Sequence, residues 1–85
     1  MNILLSKKFE KMFEKCPQEI KLKFIERLKI YRYDKYSTIL NNHTLSGRLK
    51  GYRSINISGD YRAIFKEKST ELIFIAIGTH SQLYK

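Results

Sequence analysis

The spacing of apolar residues divides the chain into a helical part and a strand-forming part. Residues 2–5, NILL, read as a short strand, and Ser6 is placed to cap a helix over residues 7–15, KKFEKMFEK, with Phe9, Met12 and Phe13 on one face. Pro17 ends that helix near Cys16, because the residue before a proline avoids helical geometry, and it suits the first position of a second helix. Within residues 16–33, CPQEIKLKFIERLKIYRY, the side chains of Ile20, Phe24, Leu28 and Tyr31 fall on one stripe, with Ile25 at its edge. Lys21, Lys23, Arg27 and Lys29 fall on the opposite face, relieved only by Glu19 and Glu26, and read as a solvated helix surface.

Past Asp34 the pattern changes. Residues 35–52 have the composition of a loop. RSINIS, residues 53–58, then alternates, placing Ile55 and Ile57 on one face and Ser54, Asn56 and Ser58 on the other. A turn at Ser58-Gly59-Asp60 returns the chain as YRAIFKEK, residues 61–68, which makes a hairpin. ELIFIAIG, residues 71–78, is a continuous apolar run, the pattern of a central strand covered on both sides. The expected fold is α+β in one domain, residues 1–85: a short N-terminal strand, two helices, then a three-stranded antiparallel meander completing a small twisted sheet. No repeat or low-complexity tract interrupts it.

Composition narrows the setting. Eighty-five residues support one modest core, so a site is expected on its surface rather than in a deep pocket. One cysteine, Cys16, excludes an internal disulfide framework and fits a reducing, cytoplasmic environment. No run approaches the length of a membrane span, and no membrane partner is expected. Seventeen Lys and Arg against eight Asp and Glu leave a net charge of +9. Nucleic acid, an anionic membrane or an acidic protein would relieve such an excess.

The stretch from His43 to Arg62, HTLSGRLKGYRSINISGDYR, concentrates the candidate chemistry: one histidine, four basic side chains, three glycines and a single acid, Asp60. SGRLKG lacks the Gly-Lys-Ser/Thr ending of a phosphate loop. Cys16, His43 and His80 have no metal-ligand spacing, and no nucleophile elbow supports a hydrolase triad. What remains is a polar set on the hairpin and its flanks: His43, Lys50, Arg53, Asn56, Asp60, Arg62, His80 and Tyr84. Metal-free RNA cleavage needs a base for the 2′-hydroxyl, an acid for the departing 5′-oxygen and cations for the phosphate charge, and these residue types supply all three. Each also has a plainer role: His43 as a surface histidine, Asp60 as a turn residue, Tyr84 as a cap on the sheet. Spacing alone favours a nucleic-acid surface and leaves catalysis open.

The order His43, Leu45, Gly47, LKGYRSINISGDYRAIF and the ending IGTHSQLYK resembles the RelE/ParE superfamily of bacterial toxins, specifically the YafQ-like branch of RelE-type mRNA interferases. The resemblance implies a type II toxin that cuts mRNA in the ribosomal A site and is held inactive by an acidic antitoxin. It implies catalytic positions at His43, Asp60, His80 and Tyr84, with Arg48, Lys50, Arg53, Asn56 and Arg62 toward RNA, no cofactor or metal, and a monomeric free toxin. The family pattern often has a further histidine where this chain has Asn56, which cannot exchange a proton near neutral pH. Two other readings stand beside it: a ParE-like inhibitor of DNA gyrase, and a catalytically weakened binder of RNA or antitoxin.

Overall fold

The computed structural model describes residues 1–84. Strand β1 (Asn2–Leu5) leads into helices α1 (Lys7–Glu14) and α2 (Gln18–Tyr33); strands β2 (His43–Thr44), β3 (Arg53–Ser58), β4 (Tyr61–Lys68) and β5 (Glu71–Thr79) follow, then a single helical turn, α3 (His80–Leu83). A 3-10 turn at Gly47–Leu49 lies between β2 and β3. The strands form one sheet in the order β1-β5-β4-β3-β2, with β1 parallel to β5 and the other neighbours antiparallel. The α+β architecture and the meander are as expected. Two short elements are additions: β2, paired through His43–Ser54 and Thr44–Arg53, and α3. Two and four residues are too few to show a period in sequence.

Local chemistry fixes the helix ends. Ser6 Oγ accepts the Phe9 amide at 3.0 Å and caps α1. Pro17, expected at the first helical position, instead precedes it in extended geometry, and its carbonyl accepts the Ile20 and Lys21 amides. On the helix-covered face of the sheet, Phe9, Phe24, Phe65 and Phe74 form a chain of rings whose centroids lie 5.1–5.7 Å apart, and Tyr31 meets Phe65 edge-on at 5.5 Å.

One residue departs from the expected helix pattern. Arg27 is buried, not solvated, and its Nε–H donates to the Ile57 carbonyl at 2.9 Å. Positions 20, 24, 27 and 31 share a stripe at 3.6 residues per turn, so Arg27 occupies a core position while Leu28 is only half-buried. The need for an arginine there comes from β3. Asn56 pairs with Arg62 and Ser58 with Tyr61, which leaves Ile57 as an extra, bulged residue. Arg27 gives its buried carbonyl a partner. The bulge also turns Ser58 to the side of its partner Tyr61, away from Asn56, where strict alternation would have placed it.

The second face of the sheet is built differently. Cross-strand partners point to the same side, so two rows cross it: Ser54–Ile64–Ala76 and Asn56–Arg62–Gly78. Ile64 and Ala76 are buried yet stand apart from the aromatic cluster. The segment after β2 and the turn α3 cover part of this face, meeting around a shallow hollow of about 260 Å³ lined by Leu45, Ser46, Arg48, Leu49, Leu83 and Tyr84.

Candidate functional site

His43 stands at the sheet edge, in the row of Ser54 and Ile64, and is half-buried. Its Nδ1 lies 2.7 Å from the carbonyl of Asn41, which holds a left-handed backbone at φ 45°, a conformation asparagine tolerates. A carbonyl only accepts, so Nδ1 carries the proton and Nε2 is the basic nitrogen of the neutral ring.

The other candidates gather toward the far end of the sheet. Arg62 donates through Nη1 to Asn56 Oδ1 at 3.1 Å, and its Nε is buried without a partner among the described residues. Asn56 is itself held from behind, its amide donating to the Leu40 carbonyl at 2.7 Å. Gly78 completes the row, and a Cβ there would come within 2.7 Å of Gln82 Oε1. That oxygen accepts the Thr79 amide at 2.8 Å, tying α3 to the end of β5. The last ladder pair is Tyr61–Thr79; Asp60 precedes it in the β3–β4 turn and His80 follows it as the first residue of α3, and both are exposed. Asp60 is carried there by a tight turn with Gly59 at φ 56°. The His80 and Tyr84 rings pack at 4.8 Å with an interplanar angle of 50°, one helical turn apart.

Asp60, His80 and Tyr84 therefore lie at the end of the sheet where the row Asn56–Arg62–Gly78 crosses it. Arg48 lines the hollow beside Tyr84, while Lys50 is exposed just beyond it. Three strand spacings across and four residues along separate His43 from His80, a backbone distance on the order of 15–20 Å. Arg53 does not join them. It pairs with Phe65 on the helix-covered face and donates through Nε to Asn42 Oδ1 at 2.8 Å. Sequence reasoning missed Gln82, Gly78 and the apolar walls Leu45, Leu49 and Leu83; the Thr-x-x-Gln spacing at 79–82, a capping-box pattern, was the available signal for the first. Between Lys35 and Lys66 the chain carries no acid except Asp60, so this segment has a net positive charge. Among the described residues no three His, Cys, Asp or Glu side chains are grouped as metal ligands.

A search of curated proteins gives no match. Among solved structures, the crystal structure of YafQ from E. coli strain BL21(DE3) is 26% identical, covering 99% of this chain and 98% of that one, with a TM-score of 0.79. The E. coli DinJ-YafQ complex is 27% identical, covering 99% and 98%, with a TM-score of 0.76. A YoeB/ParE toxin from Agrobacterium tumefaciens, 15% identical over 94% of this chain and 99% of that one, has a TM-score of 0.79 and shares the fold. The family model described as the bacterial toxin of type II toxin-antitoxin system, YafQ, matches residues 1–85. With that match along its whole length and the same α+β plan, the chain belongs to the YafQ family of type II toxin–antitoxin toxins.

Proposed function

We propose that this toxin is a metal-independent endoribonuclease that cuts mRNA on the ribosome. The observation that supports the reading is a partly covered sheet face that carries His43 at its β2 edge and Arg62 near its centre, with His80 following the end of β5. In-line displacement at phosphorus needs a base at the entering oxygen and an acid at the leaving oxygen, on opposite sides of the phosphate. His43 Nε2 takes the 2′-hydroxyl proton, the 2′-oxygen bonds to phosphorus, the bond to the 5′-oxygen breaks, and His80 supplies that oxygen with its proton. The products are a 2′,3′-cyclic phosphate and a 5′-hydroxyl end.

Asp60, in the turn before β4, is the competing candidate for the base. Arg62 meets the charge that develops on the non-bridging oxygens. Tyr84 offers a stacking face for a base beside the scissile bond, and Arg48 and Lys50 attract the RNA backbone. The net charge of +9 suits both ribosomal RNA and an acidic antitoxin segment laid across the same face, and the E. coli relative is seen in complex with DinJ. Asn56 supports a second reading, in which cleavage is weak: its side chain holds Arg62 rather than offering a proton. Under that reading Asn56→His gains activity.

Cleavage of a defined mRNA in a reconstituted translation system, mapped by primer extension, tests the proposal. Wild-type protein is expected to cut at A-site codons, and His80→Ala to lower the rate by roughly 10²–10⁴-fold without loss of fold. Cuts that persist unchanged in the variant remove His80 from the chemistry. A folded wild type that makes no cuts but blocks gyrase supercoiling sinks the proposal in favour of the ParE-like activity.

A further inference from the structure

The segment carrying His43 is tied down from the side of the sheet that His43 does not face. Asn42 is held at both ends of its amide: Nδ2–H donates to the Lys35 carbonyl at 3.0 Å, and Oδ1 accepts from Arg53 Nε at 2.8 Å. Two residues earlier Leu40 is fully buried, with its carbonyl committed to the Asn56 amide. Leu40 and Asn42 thus fix the chain on both sides of Asn41. The residue between them takes up the left-handed backbone, and its carbonyl arrives 2.7 Å from His43 Nδ1. In water a neutral imidazole carries its proton on either nitrogen; here the carbonyl selects Nδ1.

We propose that Asn42 and Arg53 are positioning residues that hold the Asn41 carbonyl against His43 and so fix its tautomer, leaving Nε2 as the basic nitrogen toward substrate. The consequence for catalysis rests on the ribonuclease reading; the tautomer does not. Arg53 then acts through Asn42 and not on RNA phosphate, which explains why a basic side chain on the hairpin points to the helix-covered face beside Phe65. Lysine cannot replace it, because the contact is made by Nε of a planar fork, and an ammonium at the end of a flexible stem does not present a donor there.

The test is ¹⁵N NMR of the His43 imidazole in the free, full-length chain, at a pH where the ring is neutral. Wild type is expected to show mainly the Nδ1–H form. Asn42→Leu and Arg53→Lys should each move the tautomer ratio toward Nε2–H by about fivefold, the ratio that one net hydrogen bond sets. Asn42→Asp keeps the Oδ1 acceptor for Arg53 and should retain the Nδ1–H form. In the mRNA assay both single losses should lower the cleavage rate on the order of tenfold or more, and the double variant should fall no further than the worse single. A ratio unchanged in Asn42→Leu and Arg53→Lys overturns the proposal. So does full cleavage by Arg53→Lys together with an undisturbed tautomer, the result expected of a simple phosphate contact. If Asn42→Leu does not fold, Arg53→Lys gives the same reading. A wild type that cuts no RNA removes the ribonuclease reading, and the tautomer measurement still decides whether the clamp exists.

Discussion

The two faces of the sheet use opposite means to fill the same backbone. Under the helices, Phe9, Phe24, Phe65, Phe74 and Tyr31 bury large rings against one another, and the polar side chains among them, Arg27 and Arg53, are hydrogen-bonded. Across the sheet, the row Asn56–Arg62–Gly78 has no large apolar residue, and Ser54 Oγ and Arg62 Nε are buried without a partner among the described residues. Unsatisfied polar atoms cost about 1–3 kcal/mol each, so the second face spends stability that the first one supplies.

The largest expected effect comes from breaking the supplying face. Phe24 touches Phe9, Phe13 and Phe74, and Phe24→Ala should cost about 3–5 kcal/mol. Domains of this kind have roughly 5–15 kcal/mol in total, so a urea titration should show most of the stability gone. Substitutions at Asp60 or His80, both exposed, should leave the same titration nearly unmoved. A large stability loss at His80 would show that the division between the faces is false.

Arg27 joins the two faces, which makes it the next test. It reaches from α2 to the bulged Ile57 carbonyl, and the bulge sets where Asn56 and Arg62 end and the Asp60 turn begins. Arg27→Met keeps the apolar stem and leaves that carbonyl orphaned, for an expected loss of about 1–3 kcal/mol in the same titration. Cleavage should fall more than stability predicts, because the hairpin end is free to relax its register. A variant as stable as wild type would mean that another donor reaches Ile57.

What the sequence disclosed follows the same division. The helices and three longer strands were legible because their apolar residues repeat over enough positions to show a period. Arg27 was not, since a charged residue at a core position reads as surface until the bulge it serves is known. Ser58 was assigned to the wrong face for the same reason: one extra residue in β3 reverses the alternation. The site was legible as a set of residue types, but not as a place. Arg53 and Arg62 look equivalent in the hairpin sequence, and only the register puts one beside Phe65 and the other between Asn56 and Gly78.

The smallest expected effect is electrostatic and belongs to the helix-covered side. Glu67 accepts from Lys35 Nζ and from Tyr31 Oη, each at 3.1 Å. The bond from Lys35 holds its carboxyl below the ordinary value, partial burial opposes this, and the Tyr31 bond adds to the lowering. A carboxyl whose value is lowered by folding contributes stability that is present above its unfolded value, near 4.5, and is lost as pH falls through the folded value. The pair is about one-third exposed, so solvent screening limits the contribution to about 0.2–1 kcal/mol. The Tyr31 hydroxyl is pushed up, first by burial and then by the Glu67 charge, so its share has the opposite sign: it is present below the ordinary tyrosine value and lost as pH rises above it. Urea midpoints for wild type and Glu67→Gln should therefore converge as pH falls from 6 to 3 and separate again on return to neutrality. Midpoints that stay parallel would show that Glu67 serves only as a neutral acceptor for Tyr31, and that the acid sensitivity of this face lies elsewhere.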